Sequence, residues 1–166
     1  MEALRGLKER RSVRAFKDEE IPLKDLEEIV DCARLAPTAN NKQPWSFIVV
    51  RDEGTLEELG EVCSYGSFIA ESSACIIVLG EPDEKYFLED GCAATENILL
   101  AAKAKGYGGC WVAGHGKDYA GEALGTVNAS GKELVSVIPL GRPVKEPDKK
   151  GKKELDEVMY LEELED

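Results

Sequence analysis

Apolar residues fall into two kinds of pattern along this chain, and the two alternate. Leu23, Leu26, Ile29, Val30 and Ala33 recur at helical spacing with Lys24, Asp25, Glu27, Glu28 and Asp31 between them. That spacing predicts an amphipathic helix stopping near Pro37. "WSFIVV", Trp45 to Val50, is short, aromatic and β-branched, and predicts a buried strand. "TLEELGEVC" predicts a short helix capped by Thr55, and "ACIIVLG", Ala74 to Gly80, a second buried strand. The longest helical pattern runs from Lys85 to Lys105 and ends at Gly106, a residue suited to the position after a helix end. Within it Gly91-Cys92-Ala93-Ala94 is poor in bulk, which suits close packing against another helix or a flat ligand. "GCWVAG" and "LVSVIPLG" predict two more strands, separated by a helical "KDYAGEALG". The tail "KKELDEVMYLEELED" is acidic and weakly amphipathic, with Leu155, Val158, Met159 and Leu161 as candidates for one face. No repeat and no linker divides the chain. The expectation is one α+β domain over residues 1–166, with a central sheet of four or five strands flanked by helices.

Charge changes the picture in one respect. The chain carries 33 acidic and 21 basic side chains, a net charge of −12. Such a balance argues against nucleic acid or anionic membrane as a partner, and it makes any local basic cluster informative. The five cysteines, at 32, 63, 75, 92 and 110, are odd in number and form no C-x-x-C pair, so neither a disulfide scaffold nor a zinc site is expected. Cys75, Cys92 and Cys110 sit among small or apolar neighbours, where cysteine acts as a small buried hydrophobe. No apolar run approaches a membrane span, and "MEALRGLKERR" lacks the apolar core of a signal peptide, so the expected location is cytoplasmic.

Three clusters could carry chemistry. Arg10, Arg11, Ser12 and Arg14 could fork onto phosphate oxygens, or they could be a solvated helix end whose arginines complement the helix dipole. "APTANNKQPW", Ala36 to Trp45, could hold backbone N–H groups and amides against a heteroaromatic ring, or be an ordinary helix-to-strand loop. "GYGGCWVAGHG", Gly106 to Gly116, has five glycines around a strand, which lets something approach the backbone closely. It is not a dinucleotide fingerprint, because position 111 is Trp and the run follows a helix; a Walker phosphate loop is absent too. His115 is the only histidine, and without a serine elbow a hydrolase triad has no support.

Taken in order, these segments resemble the FMN-dependent nitroreductase family. Arg10-Arg11-Ser12-Val13-Arg14 is similar to that family's N-terminal flavin motif, and Ala36, Pro37, Thr38, Asn41, Gln43, Pro44 and Trp45 match its A-P-S/T-x-x-N-x-Q-P-W segment. "DGCAATENILLAAKAKGYGGCWVAG" resembles the central helix and following strand, with Asp90, Gly91, Ala94, Asn97 and Gly106 at familiar spacing. "IPLGRPVKEPDKKGKKELDEV" resembles the C-terminal segment, with Lys150 and Lys152 at its basic positions.

The resemblance implies a mostly antiparallel sheet and a homodimer with flavin sites at the subunit interface. It implies that Arg10, Arg11, Ser12, Arg14, Lys150 and Lys152 surround the FMN phosphate and pyrimidine edge. Pro37, Thr38, Ala39, Asn41 and Gln43 would meet the cofactor, from the partner subunit in one arrangement, and Ala113 and Gly114 would bring a backbone N–H to flavin N5. The implied activity moves electrons from NADH or NADPH through FMN to a small electron-poor acceptor, nitroaromatic or quinone, by a ping-pong mechanism with no catalytic side chain. A flavin-binding module without turnover, or different flavin chemistry such as dehalogenation, are the alternatives. The chain also departs from larger members: Ala113 stands where they often carry Glu, and "CSYGSFIAESS" lacks an asparagine and a lysine that some place there.

Overall fold

The computed structural model describes residues 3–164; Met1, Glu2, Glu165 and Asp166, the ends of the expected 1–166 domain, lie outside the described residues. The elements are α1 (Ala3–Glu9), α2 (Leu23–Ala33), β1 (Trp45–Val50), α3 (Glu53–Val62), β2 (Ala74–Gly80), α4 (Phe87–Ala104), β3 (Gly108–Gly109), β4 (Val112–Ala113), α5 (Ala120–Thr126) and β5 (Glu133–Gly141). The strands form one antiparallel sheet in the order β1-β2-β5-β3, with β4 also paired to β5. This is the α+β architecture with a mostly antiparallel sheet that the sequence leads one to expect.

The central strands explain why the patterns take this shape. β2 is buried along its whole length, because helices cover both faces of the sheet. Cys75, Ile77 and Leu79 pack with Leu56 and Leu59 of α3 and Ala123 and Leu124 of α5. Ala74, Ile76 and Val78 pack on the other face with Leu26 and Ile29 of α2 and Ile98 and Ala102 of α4. The β2–β5 register shifts between Val78 and Leu79, which leaves Val135 opposite no residue. Val135 and Ser136 consequently both meet α4. A Cβ on Gly91 would lie 2.8 Å from Val135 Cγ2, and the Ser136 hydroxyl lies 2.8 Å from Thr95 Oγ1. The low bulk of Gly91 to Ala94 therefore serves the contact of α4 with β5.

Two strand and cap expectations shift in detail. The single strand "GCWVAG" is two short ones in one continuous register, Gly108↔Gly141 and Gly109↔Leu140, then Val112↔Val137 and Ala113↔Ser136. Extending that register places Cys110 opposite Pro139, which has no N–H to give, and the ladder breaks there. The cap of α3 is Asp52, whose carboxylate accepts the Thr55 N–H at 2.9 Å and its hydroxyl at 2.8 Å. Thr55 is thus inside the helix.

The tail differs more. Residues 150–164 form only a 3-10 turn at Leu155–Glu157, and Leu155, Val158, Met159, Tyr160 and Leu161 are exposed. A short acidic segment gains a helix only when its apolar face is buried, and no surface of this chain covers it. All five cysteines are free thiols, with Cys63, Cys75 and Cys110 buried. Burial pushes the Cys63 thiol up to about 11 and the Cys75 thiol higher still, so both are packing groups at neutral pH. Among the described residues no helix is long and apolar enough to cross a membrane.

Two stability outcomes follow. Replacing Thr95 by Val strands the buried Ser136 hydroxyl and costs roughly 1–3 kcal/mol, whereas adding Ser136→Ala recovers part of that loss; urea unfolding of the three variants measures both. The Tyr107 hydroxyl donates to Asp25 at 2.6 Å, and Lys105 pairs with the same carboxylate at 3.0 Å. Chiefly through the tyrosine, they hold the Asp25 carboxyl below its ordinary 3.8. Because the folded value is the lower one, the stabilisation is present above the ordinary value and is lost as pH falls through the folded value. Melting temperatures at pH 7 and across pH 2–4 should therefore show a smaller acid-side loss in Asp25→Asn than in the parent.

Candidate functional site

Hydrophobic anchors decide where the arginine segment goes. In Arg10 to Phe16 the side chains of Val13 and Phe16 are buried, Arg10 and Arg11 are half-buried, and Ser12 and Arg14 are exposed. The Val13 N–H donates to the Gly109 carbonyl at 2.9 Å, and Ser12 bridges Gly109 in parallel, so the segment lies along the outer edge of β3. Val13 fills the space that a side chain at residue 108 would need: a Cβ on Gly108 would sit 2.8 Å from Val13 Cβ and 3.1 Å from Pro143 Cγ. Phe16 packs in the same way over Gly141. The glycines of the 106–116 run are thus spent partly on the chain's own side chains.

The same stretch holds the C-terminal segment. Lys17 N–H donates to the Arg142 carbonyl at 2.8 Å and Val144 N–H to the Ala15 carbonyl at 3.1 Å. Chain leaving β5 therefore runs beside the arginine segment. The result is a cleft of about 540 Å³ lined by Arg10, Ser12, Arg14, Lys150 and Lys152 together with Lys8, Arg11 and Lys149. Of its eleven lining residues seven are basic and one, Asp148, is acidic. In a chain of net charge −12, the local sign is reversed.

The four N-terminal candidates play different parts. Arg11 donates to the carbonyls of Lys8 (2.8 Å) and Arg10 (2.7 Å), so it caps the end of α1, as the helix-end reading of this cluster has it. Arg10 is half-buried and paired with Glu96 of α4 at 3.1 Å. The Arg14 guanidinium lies over the Phe68 ring, 5.7 Å from its centre. Arg14, Lys150 and Lys152 form no ion pair among the described residues. Phe68 was not a candidate in the sequence; it lies in a segment whose signal was only a missing asparagine and lysine.

The loop 37–43 does not line this cleft. Asn40, Asn41 and Gln43 have φ of 52°, 56° and 52°. Left-handed backbone at a residue other than glycine costs on the order of 1–3 kcal/mol, least for Asn, and persists where surroundings over-determine it. The Gln43 N–H donates to Thr38 Oγ1 at 3.2 Å, and the Ala39 N–H donates to both oxygens of the buried Asp90 carboxylate at 3.3 Å. The cleft and the loop are both tied to α4, through Glu96 and Asp90, about 9 Å apart along the helix axis. Within one subunit they remain separate.

At the strand end the two candidates also divide. The Gly114 N–H donates to the Val135 carbonyl at 3.0 Å, so it is committed to the sheet, and its α-carbon packs against Leu134. Antiparallel alternation then turns the Ala113 N–H away from β5, toward the open edge. The Ala113 carbonyl on that edge accepts the Tyr119 hydroxyl. Its N–H is the group there that a ligand can use. His115 lies apart, its Nδ1 3.6 Å from Glu133 and its ring edge-on to Phe87.

A model of the nitroreductase family matches residues 7–69 and 63–142 of this chain. The chain belongs to the nitroreductase family. It is 39% identical over 154 residues to an Archaeoglobus fulgidus protein provisionally named NADH dehydrogenase/NAD(P)H nitroreductase, covering 89% of this chain and 88% of that protein. Among solved structures it is similar to an FMN-dependent nitroreductase of Clostridium difficile, with a TM-score of 0.87, 26% identity, and coverage of 96% of this chain and 98% of the other. It is similar as well to an iodotyrosine deiodinase bound to FMN and 3-iodo-L-tyrosine, with a TM-score of 0.85, 26% identity, and coverage of 98% and 100%. With both solved structures, fold and chain length agree across almost the whole molecule.

Gly108→Ala tests how the arginine segment is seated. The added methyl drives into Val13 and Pro143, and the expected cost is about 1–3 kcal/mol of stability, read as a lower melting temperature. Gly116→Ala, whose added methyl would meet nothing within 4 Å but whose φ is 68°, should lose less, about 1 kcal/mol.

Proposed function

We propose that this nitroreductase-family protein is an FMN-dependent NAD(P)H oxidoreductase that works as a homodimer and reduces a small electron-poor acceptor. The observation that carries the reading is the cationic cleft that an otherwise acidic chain builds from its two ends. Its donor set fits FMN. Guanidinium forks and lysine ammonium groups match a phosphate dianion, and the Ser12 hydroxyl adds a neutral donor. FMN, when bound, supplies the redox chemistry: it takes hydride from a reduced nicotinamide and delivers electrons to an acceptor.

The chain's own residues bind and orient. Arg14, held by Phe68 and free of an acidic partner among the described residues, keeps a full positive charge for the phosphate or for the ring edge at N1 and O2. Arg10 is restrained by Glu96, and Lys150 and Lys152 close the site as point charges. The Ala113 N–H supplies a backbone donor at an open strand edge, in the place of flavin N5 in the family resemblance. Thr38, Asn41 and Gln43 complete the cofactor's surroundings from the second subunit. Their separation from the cleft within one chain supports that assignment, as does the exposed apolar tail from Leu155 to Leu161, which lacks cover on its own subunit. One pocket that takes reductant and acceptor in turn gives ping-pong kinetics. Reductive dehalogenation is the second reading, favoured by the similarity to the deiodinase across 98% of the chain.

Titration of the apoprotein with FMN, followed by flavin fluorescence, tests the site. Arg14→Ala and the pair Lys150→Ala/Lys152→Ala should each weaken binding roughly tenfold to a hundredfold, the range for a lost charged hydrogen bond. Arg11→Ala should act chiefly on the stability of α1. Unchanged FMN affinity in the arginine and lysine variants would sink the assignment. Steady-state rates with a quinone, a nitroaromatic and a halotyrosine then separate the two chemistries.

A further inference from the structure

The cleft chemistry leaves one buried carboxylate unused. Among the described residues Asp90 is the only buried Asp, Glu, Lys or Arg, at 7% exposure. It lies in the first turn of α4, where the helix dipole favours negative charge. No cation pairs with it among the described residues, and its two oxygens accept the single Ala39 N–H at 3.3 Å. A buried carboxylate is costly to keep unless it secures something else.

What it secures is the left-handed loop. The other bonds of residues 38–43 mostly close the loop on itself: Asn41 N–H to the Thr38 carbonyl and Lys42 N–H to the Ala39 carbonyl at 3.1 Å, Gln43 N–H to Thr38 Oγ1 at 3.2 Å, and Gln43 Nε2 to the Asn41 carbonyl at 3.1 Å. Such bonds set the loop's shape without fixing its orientation to the body. The Lys42–Glu84 pair reaches outward, but it is exposed to solvent and correspondingly weak. The bond to Asp90 is the buried tie, and it grips the residue directly after Thr38.

We propose that Asp90 is a positioning residue of the flavin site: its carboxylate fixes loop 38–43 in the one orientation from which Thr38, Asn41 and Gln43 meet the cofactor. This rests on the reading that the loop meets FMN. Asp90 touches no reacting atom and acts through the loop.

Asp90→Ala and Asp90→Asn separate the two claims, because Asn keeps an oxygen able to accept the Ala39 N–H. Amide hydrogen exchange over residues 38–43 is measured in the apoprotein, and the FMN dissociation constant on reconstitution. In Asp90→Ala, exchange in the loop should rise about tenfold or more and FMN should bind roughly tenfold to a hundredfold more weakly. Asp90→Asn should restore both to within about threefold, a rescue that a general loss of folding would not show. Should Asp90→Ala not fold, Ala39→Pro removes the donor instead, at the first position of a turn that tolerates proline. Unchanged loop exchange in Asp90→Ala, or in Ala39→Pro, overturns the tie to Asp90. Faster loop exchange with unchanged FMN affinity leaves the tie standing but overturns the role in the flavin site, and with it the reading that the loop meets FMN.

Discussion

The backbone bond from the Val13 N–H to the Gly109 carbonyl is the constraint on which the site depends. Seven basic side chains will not gather in one cleft unless something else holds them there, because their mutual repulsion favours dispersal into solvent. The holding is done by neutral groups. Val13 and Phe16 bury themselves against Gly108 and Gly141, and the strand-like pairing of residues 12–13 with Gly109 fixes the direction in which Arg10 and Arg14 leave the backbone. Pairing of residues 15–17 with 142–144 then brings the C-terminal lysines to the same place. Apolar packing and sheet geometry thus build an electrostatic site.

β5 makes this possible. It pairs with β2 on one side and with both β3 and β4 on the other, and its register shift near Val135 presents two consecutive residues to α4. Pro139 breaks the ladder opposite Cys110, so the outer strand splits into a part that carries the arginine segment and a part that ends at Ala113. One missing N–H in β5 therefore separates the edge that seats the cationic cleft from the edge that offers a backbone donor.

Much of this could be read from the sequence. The period of Leu23 to Ala33, the apolar runs of β1, β2 and β5 and the bulk-poor start of α4 mark the elements, because each is dictated by local spacing and burial. The basic residues of the cleft are visible as an anomaly in an acidic chain, and Lys150 and Lys152 join them through the family pattern. Other features depend on partners far away in sequence. That Arg10 meets Glu96 follows from where α1 lies on α4, which no local pattern encodes. That Gly114 is spent on the sheet while Ala113 is open follows from pairing parity. The tail reads as a helix face because its apolar spacing is genuine, yet within one subunit it has nothing to bury against.

The central claim is that the cleft holds FMN and that the bound flavin turns over with a reduced nicotinamide. Its most direct test is the visible absorbance of the purified protein, reconstituted with FMN and gel-filtered, before and after anaerobic addition of NADH or NADPH. The account predicts that the flavin band stays with the protein, bleaches with one or both nucleotides, and returns when a quinone or nitroaromatic is added. Protein that emerges colourless after reconstitution, or whose flavin band neither nucleotide bleaches, would contradict it.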